Sequence, residues 1–221
     1  MQPHPDSKRP VDLLIFDLDG TLVDTRQDIT NSVNFVLTEL GVPNLSLQQV
    51  QQRVGDGVRK LLQRSLPEHL HHRIEEALPL FKEHYGQHLL AHSCFYPGVL
   101  DMLDHFIAKK MAIISNKPAA FTRTVVEGLG VSDRFTAILG GDSLLARKPD
   151  PQPILYILRE LDVPPGAAVM IGDSPSDVVA GRAAGVLTCA VTYGFRSPEL
   201  LSAARPHFMI DRMTQLAWFV A

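Results

Sequence analysis

The sequence is poor in cysteine and has no strong bias of charge. Its 221 residues include two cysteines, Cys94 and Cys189, which lie far apart and lack the spacing of metal ligands. Two unpaired thiols suit a reducing compartment, so we expect a cytoplasmic protein. The formal net charge of −3 gives no electrostatic reason to expect nucleic acid or an anionic membrane as a partner.

The sequence also lacks a hydrophobic run long enough to cross a bilayer. The apolar stretch at residues 11–16 is too short for a membrane span or a signal-peptide core, and later segments of spanning length carry charge. Residues 1–10 are polar and rich in proline, which predicts a disordered tail. Apolar residues still make up 45% of the chain, so we expect a soluble protein with a substantial core.

From residue 97 onward, helical and strand-like segments alternate. After a first buried strand at residues 11–16, strands are predicted at residues 111–114, 136–139, 167–171, 187–191 and 208–210, with helices between them and a last helix at 213–220. This order predicts an α/β fold, a doubly wound parallel sheet of Rossmann-like topology. Residues 23–90 carry only helical signals, which predicts an all-helical insert between core segments 11–22 and 91–221.

Polar side chains follow several of the predicted strands. In an open parallel sheet, ligands bind at the carboxyl ends of the strands, so these side chains are expected to lie together. They are Asp17, Asp19, Ser115, Asn116, Asp173 and Asp177, together with Lys148 just before a predicted helix.

The expected cluster can carry out phosphoryl chemistry. Several carboxylates at one edge repel each other unless a cation neutralises them, and a few carboxylate oxygens with water favour Mg²⁺ over Ca²⁺. An ionised aspartate beside the metal and a lysine can attack phosphorus. A second aspartate can protonate the leaving oxygen and then deprotonate the water that cleaves the acyl phosphate. The pattern predicts a Mg²⁺-dependent phosphohydrolase with Asp17 as nucleophile.

Four ordered motifs resemble those of the haloacid dehalogenase-like superfamily, over essentially the whole chain from residue 11. They are Asp17-Leu-Asp19-Gly-Thr-Leu-Val-Asp24, Ser115-Asn116-Lys117-Pro118, Arg147-Lys148-Pro149-Asp150-Pro151 and Gly172-Asp173-Ser174-Pro175-Ser176-Asp177. The helical insert looks like that superfamily's cap of the first type. With Gly140-Gly141-Asp142-Ser143 before the lysine motif, the chain is most similar to the phosphoglycolate phosphatase-like group.

The resemblance implies the catalytic roles. Asp17 would be the nucleophile, and Asp19 would be the general acid and base. Ser115 and the backbone of Asn116 would hold the phosphoryl group, and Thr21 of the first motif would also contact the substrate.

The resemblance also implies a metal site and its supporting charges. Asp17, the backbone carbonyl of Asp19, and Asp173 would ligate Mg²⁺. Lys148 would neutralise charge between Asp17 and the phosphoryl group, and Asp177 would orient waters or Lys148.

Selectivity is expected to come from the cap, because a cap closes over the site and excludes water. Its break at Gly55-Asp56-Gly57 can present backbone N–H groups to an anionic substrate, and basic residues flank it. We therefore predict that Gly55, Arg59 and Lys60 bind a second negative charge, such as the carboxylate of phosphoglycolate.

Other functions with the same motifs stay open at this point. They include a β-phosphoglucomutase-like isomerase and a pyrophosphatase or nucleotidase. A dehalogenase is disfavoured because that branch looks like it lacks the second aspartate, here Asp19. A phosphonate hydrolase would need a cap lysine, and neither Lys60 nor Lys82 has a convincing context. A non-enzymatic phospho-acceptor would need neither the insert nor Asp19. The leading prediction is a phosphomonoesterase for a small phosphorylated metabolite, active as a monomer or weak homodimer.

Overall fold

The computed structural model describes residues 8–221 and has a parallel sheet at its centre. The strands are β1 (Leu13–Phe16), β2 (Val23–Asp24), β3 (Cys94–Phe95), β4 (Lys110–Ile114), β5 (Ala137–Leu139), β6 (Ala168–Gly172), β7 (Leu187–Val191) and β8 (Phe208–Ile210). Six of them form one sheet in the order β5-β4-β1-β6-β7-β8, with every neighbouring pair parallel. The predicted α/β fold with a doubly wound sheet and a helical cap is confirmed.

The helices fall into two sets along the chain. The first set, between β2 and β3, comprises α1 (Arg26–Glu39), α2 (Leu47–Gln51), α3 (Val58–Ser65) and α4 (Ile74–His88), with a 3₁₀ turn at Glu68–Arg73. The second set flanks the sheet and comprises α5 (Val99–His105), α6 (Ala119–Gly128), α7 (Gln152–Glu160), α8 (Pro175–Ala183) and α9 (Pro198–Ala203).

Strand β1 lies at the centre because all of its side chains are apolar and both faces of the sheet are covered. Successive side chains of a strand point to opposite faces. Accordingly, Leu14 and Phe16 belong to one hydrophobic cluster, whereas Leu13 and Ile15 belong to another. Such a continuous apolar run is typical of a parallel strand that is buried on both faces.

The direction of strand addition reverses beside β1. The chain adds β4 and β5 on one side of β1, then returns to add β6, β7 and β8 on the other. This reversal leaves a crevice at the carboxyl ends of the strands, where ligands bind in open α/β sheets. The residues that follow β1, β4 and β6 therefore meet at one edge.

The cap helices pack on one another through an apolar stripe. Helix α1 packs against α2 and α4, and Ile29, Val33 and Leu37 of α1 are buried in the same cluster as Phe81 and Tyr85 of α4. Ser46 caps the start of α2: its hydroxyl accepts from the Gln49 backbone, and the Gln49 side chain accepts from the Ser46 backbone.

The structure differs from the predictions near both ends of the chain and where the chain passes between core and cap. Arg9 pairs with Val220, so the end of the predicted tail is ordered, while residues 1–7 lie outside the described residues. Strands β2 and β3, too short to give an alternating pattern, form an antiparallel pair where the chain leaves and re-enters the core. The predicted last helix is a 3₁₀ helix at Met213–Trp218. The predicted domain limits, 11–22 with 91–221 and 23–90, stay predictions.

No helix in the described part of the chain is both long and apolar enough to span a membrane. Cys94 is exposed and Cys189 is buried, and both thiols are free.

A buried carboxylate fastens the return from the cap to the core. Asp28, in the first turn of α1, has a fully buried side chain. Its oxygens accept hydrogen bonds from the backbone N–H of His92 at 3.0 Å, and from the Ser93 N–H at 2.8 Å and hydroxyl at 2.7 Å. Because buried donors are costly to leave unpaired, Asp28 fixes where the chain leaves the cap.

We expect Asp28→Asn to destabilise the protein by about 2–4 kcal/mol, because an amide presents its own N–H groups to donors that need an acceptor. Urea unfolding at neutral pH measures the loss. Asp101→Asn, on the exposed face of α5, is the matched control and should stay near wild type. Equal stability of the two variants would contradict this role of Asp28.

Candidate active site

Three carboxylates converge at the carboxyl ends of β1 and β6. Asp17, Asp173 and Asp177 each present an oxygen, and these oxygens all lie within 4.8 Å of one another. The sheet holds Asp17 in place, because its N–H donates to the Ile171 carbonyl at 2.9 Å. Asp173 Oδ2 accepts from the Phe195 N–H at 2.6 Å. The predicted convergence of these side chains is therefore present.

A buried lysine lies among these carboxylates. Lys148 Nζ is 3.0 Å from Asp17 Oδ1 and 2.6 Å from Asp177 Oδ1, and the residue is 2% exposed. The other oxygen of Asp177 accepts from the backbone N–H and hydroxyl of Ser174 in a capping box at the start of α8. Asp177 is thus fixed by its own helix and lies in contact with Lys148, while its supporting role in the reaction stays a prediction.

Burial makes the cluster costly in its charged form. Desolvation raises the pKa of Asp17 to about 7 against the opposing charge of Lys148, with Asp177 and Asp19 raising it further. Desolvation, then the charges of Asp17 and Asp177, hold the pKa of Asp173 well above its usual range. Burial alone lowers the pKa of Lys148, but the two adjacent carboxylates raise it overall. A further positive charge would stabilise this cluster.

Gly20 permits the close approach of the two strand ends. A Cβ at this position would lie 2.2 Å from Asp173 Oδ2, and the backbone has a φ of +83°. Both constraints require glycine, since the positive φ strains other residues and the space is already filled.

Asp19 is held by a hydroxyl and by a lysine. Its Oδ1 accepts from Thr25 Oγ1 at 2.8 Å and from Lys117 Nζ at 2.7 Å. Lys117 Nζ also donates to the Tyr85 hydroxyl of cap helix α4 at 2.7 Å. Burial raises the pKa of Tyr85 to about 12, so its hydroxyl keeps its proton at neutral pH. Asp19 is therefore joined to the cap through Lys117.

Ser115 and Asn116 follow β4 at the same edge. The Ser115 N–H donates to the Leu139 carbonyl at 3.0 Å, which continues the pairing of β4 with β5 up to this residue. The amide of Asn116 donates to the carbonyls of Lys148 and Gly55, both at 2.9 Å. One side chain thus ties the lysine loop to the cap.

A cavity lies between the edge of the sheet and the cap. Asp17, Asp19, Ser115, Asn116 and Asp173 line its floor, and Gly55 and Gly57 line it from the cap. Much of the rest of its wall is apolar and is formed by Val58, Leu61, Phe81, Tyr85, Phe121 and Phe195. A small polar molecule with its reacting end at the carboxylates would be largely enclosed.

The family model of the haloacid dehalogenase-like hydrolases matches residues 14–191, and this range includes all of the residues that line the floor of the cavity. The chain belongs to the haloacid dehalogenase-like hydrolases. It is 37% identical to phosphoglycolate phosphatase 1 of Pseudomonas aeruginosa over 92% of this chain and 78% of that protein. It is 35% identical to a phosphoglycolate phosphatase of Colwellia psychrerythraea over 93% of this chain and 95% of the other.

A solved structure has the same fold throughout. The crystal structure of a predicted phosphoglycolate phosphatase from Haemophilus somnus superposes with a TM-score of 0.88 at 28% identity, covering 94% of this chain and 96% of that one. The agreement extends over the cap as well as the sheet, as its coverage of nearly the whole chain requires.

Three residues predicted to bind substrate in this haloacid dehalogenase-like hydrolase lie elsewhere. Arg59 is exposed and pairs with Glu75 at 2.7 Å, and Lys60 is also exposed. Helix α3 turns Leu61 inward, which places its two preceding residues on the outer face. Thr21 is fully buried, and its carbonyl accepts from the Tyr193 hydroxyl. The geometry does not support a substrate contact for these three side chains.

The sequence reasoning missed an arginine that joins core and cap. Arg196 follows β7, and its guanidinium donates to the carbonyls of Gln51, the last residue of α2, at 3.2 Å, of Gln52 at 3.0 Å and of Val54. Nothing in the motifs marks Arg196, because its partners are backbone groups distant in sequence. Lys117 belongs to the second motif, which implies no role for it. Its place two residues after Ser115 nevertheless indicates that it lies at the same edge of the sheet.

We expect Asp17→Asn to stabilise the metal-free protein at about pH 8. The folded-state pKa near 7 exceeds the usual value of 3.8, so between these values only the unfolded carboxyl loses its proton and stability falls as pH rises. The amide cannot ionise, so the variant should gain roughly 1–3 kcal/mol over wild type at about pH 8 and less towards pH 4.

Urea unfolding in EDTA across this range measures the difference. Asp12→Asn, at an exposed position before the same strand, is the control. A gap between Asp17→Asn and wild type that does not change with pH would contradict the raised pKa.

Proposed function

We propose that the protein is a Mg²⁺-dependent phosphomonoester hydrolase that acts through an aspartyl-phosphate and prefers phosphoglycolate. The observation that carries the proposal is Asp17, a cavity-lining carboxylate held beside Lys148 and two further carboxylates. The phosphoglycolate phosphatases that share 35–37% of its residues support the substrate. The cytoplasmic location and the monomer or weak dimer stay predictions.

The oxygen donors suit a hard divalent cation such as Mg²⁺. Asp17 and Asp173 would hold it together with the backbone carbonyl of Asp19, since the oxygens of Asp177 are engaged by Lys148 and Ser174. The raised pKa values of Asp17 and Asp173 show that negative charge is unfavourable here, and a bound cation would stabilise it. When bound, the metal supplies positive charge for the carboxylates and for a phosphoryl oxygen.

In the first half-reaction, a carboxylate oxygen of Asp17 forms a bond to phosphorus while the ester P–O bond breaks. Asp19 donates its proton to the departing oxygen, which leaves as an alcohol. Ser115 and the Asn116 backbone hold phosphoryl oxygens, and Lys148 offsets their charge. In the second half-reaction, Asp19 takes a proton from water as that water attacks phosphorus, which releases phosphate and restores Asp17.

We expect Asp17→Asn to lower turnover of p-nitrophenyl phosphate by about 10⁴-fold or more, because an amide is a poor nucleophile. The rate in Mg²⁺ is measured beside circular dichroism and thermal melting, with Asp12→Asn as the matched control. If a folded Asp17→Asn protein kept more than about a tenth of the wild-type rate, another nucleophile would be needed.

The substrate is tested with a kcat/KM panel in Mg²⁺, with an EDTA blank. The panel comprises phosphoglycolate, hexose phosphates, nucleoside monophosphates and pyrophosphate. We expect phosphoglycolate to rank first, because relatives that share 35–37% of the residues of this chain are phosphoglycolate phosphatases. A hexose phosphate or nucleotide in first place would overturn the substrate while leaving the phosphomonoesterase activity intact.

A further inference from the structure

One buried cation at the cavity has no part in the reaction described above. Lys117 lines the cavity and is 8% exposed, and its Nζ donates to Asp19 and to Tyr85, each at 2.7 Å. An ammonium group has three N–H donors, so one is left after these two bonds. The Tyr85 hydroxyl accepts from Lys117, which leaves its own proton available to a further acceptor.

The other positive side chain that lines the cavity, Arg196, is already engaged, as are two cations close to it. Among the described residues that line it, the positively charged ones are Lys117 and Arg196. The guanidinium of Arg196 is directed to the backbone carbonyls at the end of α2. Lys148 lies between Asp17 and Asp177, and Arg59 pairs with Glu75 on the outer face of the cap.

The position of Lys117 beside Asp19 determines how far from the phosphoryl group a substrate group must lie to contact it. Asp19 must reach the ester oxygen to protonate it, and Lys117 is in contact with Asp19. In phosphoglycolate, one methylene separates that oxygen from the carboxylate. A substrate held by Asp19 at its ester oxygen therefore has its carboxylate within reach of Lys117.

We propose that Lys117, together with the Tyr85 hydroxyl, binds the substrate carboxylate and so determines the preference for a short phosphorylated acid. This inference rests on the proposed function. The recognition site is thus divided between the loop after β4 and cap helix α4, and it is complete when the cap is closed. Apolar neighbours such as Phe81 and Phe121 strengthen the ion pair because they exclude water.

The test uses two substrates that differ in one charge, phosphoglycolate and 2-hydroxyethyl phosphate. Wild type should prefer the acid. Lys117→Met, which keeps the length of the side chain, should lose about 10- to 100-fold more kcat/KM on phosphoglycolate than on hydroxyethyl phosphate. The ratio of the two losses cancels any general effect through Asp19. Arg73→Ala removes a cap arginine paired with Glu76 at the surface and should leave the ratio unchanged.

A binding measurement separates recognition from chemistry. Calorimetry with 3-phosphonopropionate and propylphosphonate, which cannot be hydrolysed at oxygen, should show the same loss of preference in Lys117→Met. Tyr85→Phe removes one hydroxyl and should lower the preference by a smaller factor, about 3- to 10-fold. It also serves as the readout if Lys117→Met fails to fold.

The outcomes distinguish this inference from the proposed function. If wild type prefers phosphoglycolate and both variants keep the full preference, Lys117 is not the specificity residue and the phosphatase assignment stands. If wild type shows no preference between the two substrates, the substrate assignment and this inference both fall. Equal losses on both substrates would make Lys117 a positioning residue for Asp19 and would also overturn the inference.

Discussion

The buried contact of Lys148 with Asp17 and Asp177 is the interaction on which the rest of the site depends. Without this lysine, Asp17 and Asp177 would face each other with no positively charged side chain in contact with them. The contact also explains why Asp177 must be fixed at the start of α8, since a mobile carboxylate could not hold the ammonium beside the nucleophile. The strand order places Asp17, the helix cap fixes Asp177, and Lys148 balances the charge of both.

A second constraint is that the cap is joined to the core through polar contacts close to the site. Asn116 donates to Gly55, Lys117 donates to Tyr85, and Arg196 donates to the end of α2. Gly57 lies so close that a Cβ there would be 3.0 Å from Arg147. Each contact begins at a core loop next to a strand end, so the arrangement of the cap depends on the same edge that holds the carboxylates.

Local sequence signals were sufficient for the core and for its charged residues. The apolar run of β1 and the strand-end position of Asp173 each depend on neighbouring residues, so they can be predicted from the sequence. Neighbouring residues do not show which side chains of the cap face the cavity. Arg59 and Lys60 flank the right loop, but the phase of α3 turns them outward, and that phase follows from the packing of Leu61 and Leu62.

The contacts that escaped prediction join groups far apart in sequence. Arg196 binds the carbonyl of the last residue of α2 and the one after it, and Tyr85 of α4 contacts Lys117 although the two are 32 residues apart. The pairing of β2 with β3 involves two residues on each strand, which is too few for a pattern. In each case the decisive partner is set by tertiary packing, and neither composition nor spacing carries that information.

The turn formed by Phe195 and Arg196 connects a carboxylate of the site to the cap. Its N–H at Phe195 binds Asp173, and the next side chain binds the carbonyl end of α2. A change in the charge or position of Asp173 therefore acts on the residue directly before the one whose side chain holds the cap. Linked contacts of this kind stabilise each other reciprocally, so the hydrogen bond from Phe195 to Asp173 and the contact of Arg196 with the cap support each other through one turn.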